Sequence, residues 1–468
     1  MQIHPFQPDY LHVTTDGPSP TKHQRSSAIV IGAGVAGLMA ARVLCNHFPR
    51  VYVIEQDQLP ATPQARKGVP QARHVHLLMV RGRQVLDHFF PQLTAELFDL
   101  GAMPLDWYAD VRWFGPAGWM AAGGEGLITC STSRDLLEFV LRRRVVADSR
   151  VELISQHKVV GLQVDAQTGQ ICGVEMMASS TAIAARQRLA ADLVIDASGR
   201  GSRSAKWLDQ LGYGLAETRT VNAFLGYSSR LCRLPAGASS PPWKALIVSA
   251  HPPDCFRAGG IFAIEHNQWM VVLMGGGGDY PPKDEAGFVN FARSLRSAEL
   301  YQALTAAEPV SPIYHFRRTE NRWIHYERQA KWPAGLMVMG DAVCGFNPIY
   351  GQGMTVALLS AELLDRVLDS QAALADLTAA FRQQLAALCA WPWTMATGAD
   401  LLYPTTEGGE STWYDRLAQH YLDQVLIMAT KSPDIYRRFV RVMNMVDPPS
   451  ALFAPAVAAR MAIGWLRN

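Results

Sequence analysis

The stretch that most restricts what this chain can fold into is "SSAIVIGAGVAGLMAARVL", beginning at Ser26. A short β-branched run meets three glycines in a G-x-G-x-x-G spacing, and an Ala/Leu-rich helix pattern follows directly. Each glycine has its own physical task. Gly32 permits a tight turn, Gly34 lets the backbone come close to a pyrophosphate, and Gly37 lets helix and strand pack closely. The helix N-terminus then faces the phosphates, where its unpaired N–H groups favour negative charge. A second apolar strand, "RVYVIEQ", carries Glu55, 23 residues after Gly32 and placed to meet a ribose hydroxyl. An acid here suits a free 2′-hydroxyl, hence FAD or NAD, over a 2′-phosphate.

A second glycine-rich segment lies three hundred residues on. "AGLMVMGD" reads as a buried strand ending in Gly340-Asp341, and "AVCGFNPIYGQGMTVALL" runs from it into a helix. Asp341 can accept hydrogen bonds from a sugar-like chain. The loop from Pro348 through Gly351, Gln352, Gly353 and Met354 would deliver backbone N–H groups to a helix N-terminus, a site that favours partial negative charge.

Between these segments the pattern changes. Residues 61–76 form a basic, turn-rich loop, 77–103 read as helical, and 131–148 read as a helix with good capping residues. Strands at 151–154, 159–164 and 171–176 suggest a small meander. Over 210–330, strand-like runs alternate with Pro/Gly clusters such as "GGGGDYPP", as in an antiparallel sheet. A helix is expected over 284–306, and 353–390 and much of 411–465 look helical. The expected fold is α/β: a Rossmann-like nucleotide-binding domain over 27–209 and 331–390, an inserted antiparallel-sheet substrate domain over 210–330, and a helical C-terminal region over 391–468. Residues 1–26 read as a loose leader.

Composition narrows the partners. The net charge is +2 with acids and bases nearly balanced, which gives no electrostatic case for nucleic acid. The seven cysteines include no C-x-x-C pair, so neither a zinc site nor any other metal site is expected, and a reducing, cytoplasmic compartment fits. No apolar run is long enough to span a bilayer. For "ALFAPAVAARMAIGWLRN" at the C-terminus, packing on the parent domain or a second copy is favoured over membrane contact.

Together these stretches resemble the FAD-dependent monooxygenases of the aromatic-hydroxylase superfamily, over roughly residues 27–390. The resemblance implies that Gly32, Gly34, Ala36, Gly37 and Glu55 hold the ADP half of FAD. It implies that Gly340 and Asp341 bind the ribityl chain, and that Pro348, Gly351, Gln352, Gly353 and Met354 lie along the isoalloxazine edge. Arg134 matches an arginine near the flavin phosphates, and Val159 a backbone position beside the adenine. A narrower likeness, on "RKGVPQARHVHLL", "DASGRGS" and "FNPIYGQGMT", is to flavin epoxidases of polyether pathways and related natural-product oxygenases. It places Arg66, Lys67 and Gly68 near the cofactor and His74 and His76 toward flavin or substrate, with a structural hydrogen-bonding role as the alternative for either histidine.

The implied reaction is insertion of one oxygen atom from O2, through a flavin C4a-hydroperoxide, into an apolar polyene or aromatic substrate. Alkene epoxidation is favoured over ring hydroxylation because no base motif is evident. His76 and Tyr350 are the candidate catalytic side chains, and Trp269, Met270, Val272 and Met274 candidate pocket walls. Serine at 198 stands where the superfamily has an aspartate linked to FAD and NAD(P)H. That leaves two routes for the reductant: NAD(P)H directly, or a separate flavin reductase. The one W-x-W, "WPWTMA", lies late and lacks the I-P of flavin halogenases. A reductase or dehydrogenase without oxygen insertion, and a flavin-binding module without activity, complete the alternatives.

Overall fold

The computed structural model describes residues 26–179, 185–370 and 372–454. The leader expected over 1–26, Ser26 apart, and the last fourteen residues of the expected tail lie outside them.

The core is a five-stranded parallel sheet in the order Leu336–Val338, Leu193–Asp196, Ala28–Ile31, Val51–Ile54, Val151–Ile154. All the residues of Ala28–Ile31 are buried, as parallel strands covered on both faces require. The chain turns to opposite sides of Ala28–Ile31, which pairs with Val51–Ile54 on one edge and Leu193–Asp196 on the other. This is a topological switch point, where ligands of open α/β sheets bind beyond the carboxyl ends of the strands. Ile31 is in register with both Ile54 and Asp196, and Asp196 with Val338. Gly32, Glu55, Asp196 and Gly340 therefore emerge at one edge of the sheet. The helices Val35–Leu44, Arg134–Val146 and Gln352–Asp369 pack beside it. Ser133 caps the second of these, its hydroxyl accepting the Leu136 N–H at 3.1 Å.

Several element boundaries differ from expectation. Val151–Ile154 is the edge strand of the parallel sheet and not part of the meander, which consists of His157–Val164, Ile171–Ala178 and Gln187–Ala190. The helix expected over 77–103 is two, Val80–Phe89 and Leu93–Asp99, separated at Gln92 with φ of 68°. That over 284–306 is also two, Glu285–Arg293 and Glu299–Thr305. That over 353–390 divides into Gln352–Asp369 and Leu374–Asp400.

The second sheet is built on antiparallel strands Gly226–Arg233, Gln268–Gly275, Arg257–Ile264 and Ala245–Val248. It also recruits Val111–Gly115 from outside the expected 210–330 span, paired in parallel with Ala245–Val248. The strand period of two divides the expected wall residues. Val272 and Met274 face the same side as Tyr227, whereas Trp269 points the other way, among Cys232, Val271, Leu273 and Phe288. Trp269 is core beneath the helices and not a pocket wall. The C-terminal helices Trp413–Ala429 and Pro433–Met443 lie against the Tyr227 face. Tyr436 donates to the Trp107 carbonyl at 2.9 Å, and Asn444 accepts the Val80 N–H at 3.1 Å. Among the described residues no helix is long and apolar enough to cross a membrane.

Candidate functional site: a trough across two glycine turns

The glycine turn has the expected stereochemistry. Gly32 takes φ +98°, and its N–H donates to the Ile54 carbonyl at 2.8 Å. A Cβ on Gly37 would overlap the Gly32 carbonyl oxygen, so only glycine lets the helix start this close to the strand. Gly34 is different, since a Cβ there meets nothing within 4 Å. Its missing side chain leaves open space in front of the helix, and no side chain caps that helix. An anion fits this opening.

The two motifs meet in space. Gly340 takes φ +64°, and a Cβ on it would lie 3.0 Å from the Ala36 Cβ. A Cβ on Gly353 would lie 3.8 Å from an Asp341 carboxylate oxygen. Gly351, at φ +68°, turns the chain into the helix Gln352–Asp369, again with no side-chain cap. Gln352 and Thr355 in its first turn are buried, and Gln352 Oε1 and Thr355 Oγ1 have no partner. Met354 is half-buried against the core. Pro348 opens a single 3₁₀ turn, with Asn347 accepting the Ile349 N–H. The Asp341 side chain keeps 37% exposure, yet desolvation by the surrounding protein raises its carboxyl above the usual range. That combination marks a carboxylate lining a cleft. A cofactor with an anionic middle, a hydroxylated chain and a polar ring edge fits this trough: free N–H groups at both helix starts, an open carboxylate between them, and orphaned polar atoms at the far end.

Around Glu55 lies a buried charge network. Glu55 accepts the Ala33 N–H at 2.9 Å and the Asp57 N–H at 3.0 Å. Arg66 lies 3.1 Å from Glu55, 3.0 Å from Asp57 and 2.6 Å from Glu138, and Arg134 pairs with Glu138 at 3.0 Å. Burial alone would raise Glu138, but Arg134 and Arg66 outweigh it and hold the carboxyl below its usual range. Arg66 and Arg134 are thus neighbours through one shared acid. Lys67 is exposed. Gly68 donates its N–H to Asp57 at 2.6 Å. Val159 is a buried core residue, and its strand starts where His157 N–H donates to the Glu55 carbonyl.

The two histidines have different surroundings. His74 is buried, bonded to Ser229 Oγ at 2.9 Å and edge-on to Tyr227 at 4.7 Å, and burial lowers its pKa to about 3. It is a structural tie between the loop and the second sheet. His76 is half-buried, and burial lowers it to about 4, so its imidazole is neutral. Its Nδ1 lies 2.9 Å from the His74 carbonyl and must carry the proton, which leaves Nε2 with a free lone pair.

Four residues that sequence reasoning missed belong to this region. Arg200, inside the quoted "DASGRGS", donates to the Phe346 carbonyl at 2.7 Å and lies 3.8 Å from Asp341. Asn321, Asn347 and Asp400 are buried together around Tyr350. Ser198 has a local reason. Its hydroxyl donates to the buried Asp196 at 2.5 Å, where a second carboxylate would be repelled.

The fold is that of the FAD-dependent monooxygenases. It is similar to a probable FAD-dependent monooxygenase of Pseudomonas aeruginosa, PqsL, at 16% identity and TM-score 0.60 over 80% of this chain and 96% of that one. It is also similar to the flavin-dependent brominase Bmp2, at 15% identity and TM-score 0.61 over 90% and 99%. The squalene epoxidase family model matches residues 298–387, the segment that holds Asp341 and the glycine-rich loop from Pro348 to Gly353. Along the whole chain, the protein is 33% identical over 461 residues to Protein Rv3254 of Mycobacterium tuberculosis (strain ATCC 25618 / H37Rv), covering 95% of each, and it belongs to the same family.

Proposed function

We propose that the protein is an FAD-dependent monooxygenase that inserts one oxygen atom into an apolar, natural-product-like substrate, with alkene epoxidation as the first reading. The observation that carries this is the junction of the two glycine turns, with Gly340 against Ala36 and Gly353 beside Asp341. It brings the Gly34 opening, the Asp341 carboxylate and the uncapped start of Gln352–Asp369 side by side.

Within it, Gly34 and the first helix turn would bind the pyrophosphate, Asp341 would accept from the ribityl hydroxyls, and the N–H groups of Gly353 and Met354 would meet the ring edge. Bound FAD, reduced by NAD(P)H directly or through a separate flavin reductase, supplies activated oxygen from O2. The chain supplies position and dryness. Tyr227, Val272, Met274 and Phe316 make an apolar wall on the inner face of the second sheet, Tyr227 and Phe316 stacked at 5.4 Å. Water excluded there cannot promote unproductive loss of hydrogen peroxide. Epoxidation needs no base from the protein. Aromatic hydroxylation is the second reading: His76 Nε2 could accept a hydrogen bond from a phenol, but burial lowers this imidazole to about 4 and makes it a weak base, which ranks this reading second.

The test is to express the protein, record the flavin spectrum, and screen polyene and phenolic substrates for a mass gain of one oxygen, with NAD(P)H alone and with an added reductase. Asp341→Ala should lower retained FAD by about tenfold or more, on the order of one charge-assisted hydrogen-bond pair. Full flavin content in that variant, measured at 450 nm against protein, would contradict the role given to Asp341.

A further inference from the structure

Asp400 ends the helix Leu374–Asp400 and has no exposed surface. Side-chain donors from three residues converge on its carboxylate. The Tyr350 hydroxyl donates to Oδ1 at 2.6 Å, the Asn321 amide to Oδ2 at 2.6 Å, and the Asn347 amide to Oδ1 at 3.1 Å. The asparagines are tied to each other as well, since the Asn347 backbone N–H donates to Asn321 Oδ1 at 2.7 Å. Both asparagines are buried. One carboxylate thus joins three elements: the strand Asn321–Ile324, the loop from Asn347 to Gly351, and the long helix. Every donor is neutral. A buried carboxylate without a cation is costly, and apolar side chains of similar volume would fill the same space at less cost. The cluster holds the segment from which the helix Gln352–Asp369 starts.

We propose that Asp400 is a positioning residue for the ring-facing end of the trough: through Tyr350, Asn347 and Asn321 it fixes the loop that sets the start of the helix Gln352–Asp369. This rests on the function proposed above.

The geometry defines two states. A charged Asp400 accepts from all three side chains, and the Tyr350 hydrogen is committed to it. A proton on Oδ1 reverses that bond. Asp400 then donates to the Tyr350 oxygen, the phenolic hydrogen must turn away, and the tie on the loop weakens. Burial raises the Asp400 carboxyl to about 7, opposed by the hydrogen bonds from Tyr350, Asn347 and Asn321, so the exchange falls near neutrality. The titratable groups that face it are Tyr350 and Tyr403, both held protonated by burial and by the Asp400 charge.

The experiment measures FAD affinity by quenching of flavin fluorescence, with the purified full chain, from pH 5.5 to 8.5. Affinity should fall by about tenfold between pH 8 and pH 6 in one transition centred near 7. In Asp400→Asn that transition should vanish, with affinity at pH 8 below wild type. The infrared band of a protonated carboxyl, read on protein without added cofactor, should titrate with the same midpoint and be missing from Asp400→Asn. Tyr350→Phe should move both midpoints upward, because the charged form loses a donor. If Asp400→Asn does not fold, Tyr350→Phe decides. Unchanged midpoints there, or a wild-type profile in Asp400→Asn, overturn the proposal while leaving the FAD reading intact. A protein that takes up no FAD at any pH overturns that reading, and this inference with it.

Discussion

Valine in place of Gly34 should give a folded protein that retains on the order of a tenth or less of the wild-type FAD. The two halves of that result have separate causes. The Gly34 backbone, at φ −77° and ψ −178°, is one that valine adopts without strain, and a Cβ there meets no atom of the protein within 4 Å. The cost to the fold is limited to a poorer N-cap position, about 1 kcal/mol or less. The branched side chain would instead project into the opening where the pyrophosphate has to approach the helix N–H groups. Gly37→Val provides the contrast. There the Cβ would overlap the Gly32 carbonyl oxygen, so that variant should fail to fold. Circular dichroism and flavin content on the two proteins separate a binding glycine from a packing glycine. A Gly34→Val protein that keeps its flavin would show that the cofactor lies elsewhere.

The second large effect is expected at Glu138. Its carboxylate is shared by Arg66 at 2.6 Å and Arg134 at 3.0 Å, and all three side chains are under a tenth exposed. Glu138→Ala leaves Arg134 without that acid and Arg66 with only Glu55 and Asp57. Breaking a buried pair in this way costs about 3–5 kcal/mol, because the remaining charge stays desolvated. Urea unfolding at pH 7 measures it. The pH dependence has a definite sign. The folded carboxyl is held below its unfolded value of roughly 4.3, so the stabilisation is complete above that value. It is lost as the pH falls through the folded value. The gap between wild type and Glu138→Ala should therefore narrow in acid, and a gap that is constant down to pH 3 would argue against the charge network.

How much of this was legible in the sequence follows from where each feature's partners lie. The turns Gly32–Gly37 and Gly340–Gly353 were readable because the constraint is local: a backbone conformation, or a missing Cβ, belongs to the residue itself. The strand Ala28–Ile31 and the helix Val35–Leu44 after it were readable for the same reason. The helix 77–103 was misjudged because an apolar pattern can persist across a break at a single left-handed residue, Gln92. Alternation separates Trp269 from Val272 and Met274, but which face meets the trough depends on what packs on each side.

The sequence by itself determined a nucleotide-type turn, a second glycine-rich strand–loop–helix, and the general α/β plan, since these rest on residue type and spacing over a few positions. The tertiary structure alone decided that Gly340 sits against Ala36, that one glutamate bridges Arg66 and Arg134, and that Tyr350 is bonded to Asp400. Tyr350 lies 50 residues from Asp400 and Asn321 lies 79 from it. No local pattern links such positions, because a buried polar cluster is specified by the packing of whole elements and leaves no period along the chain.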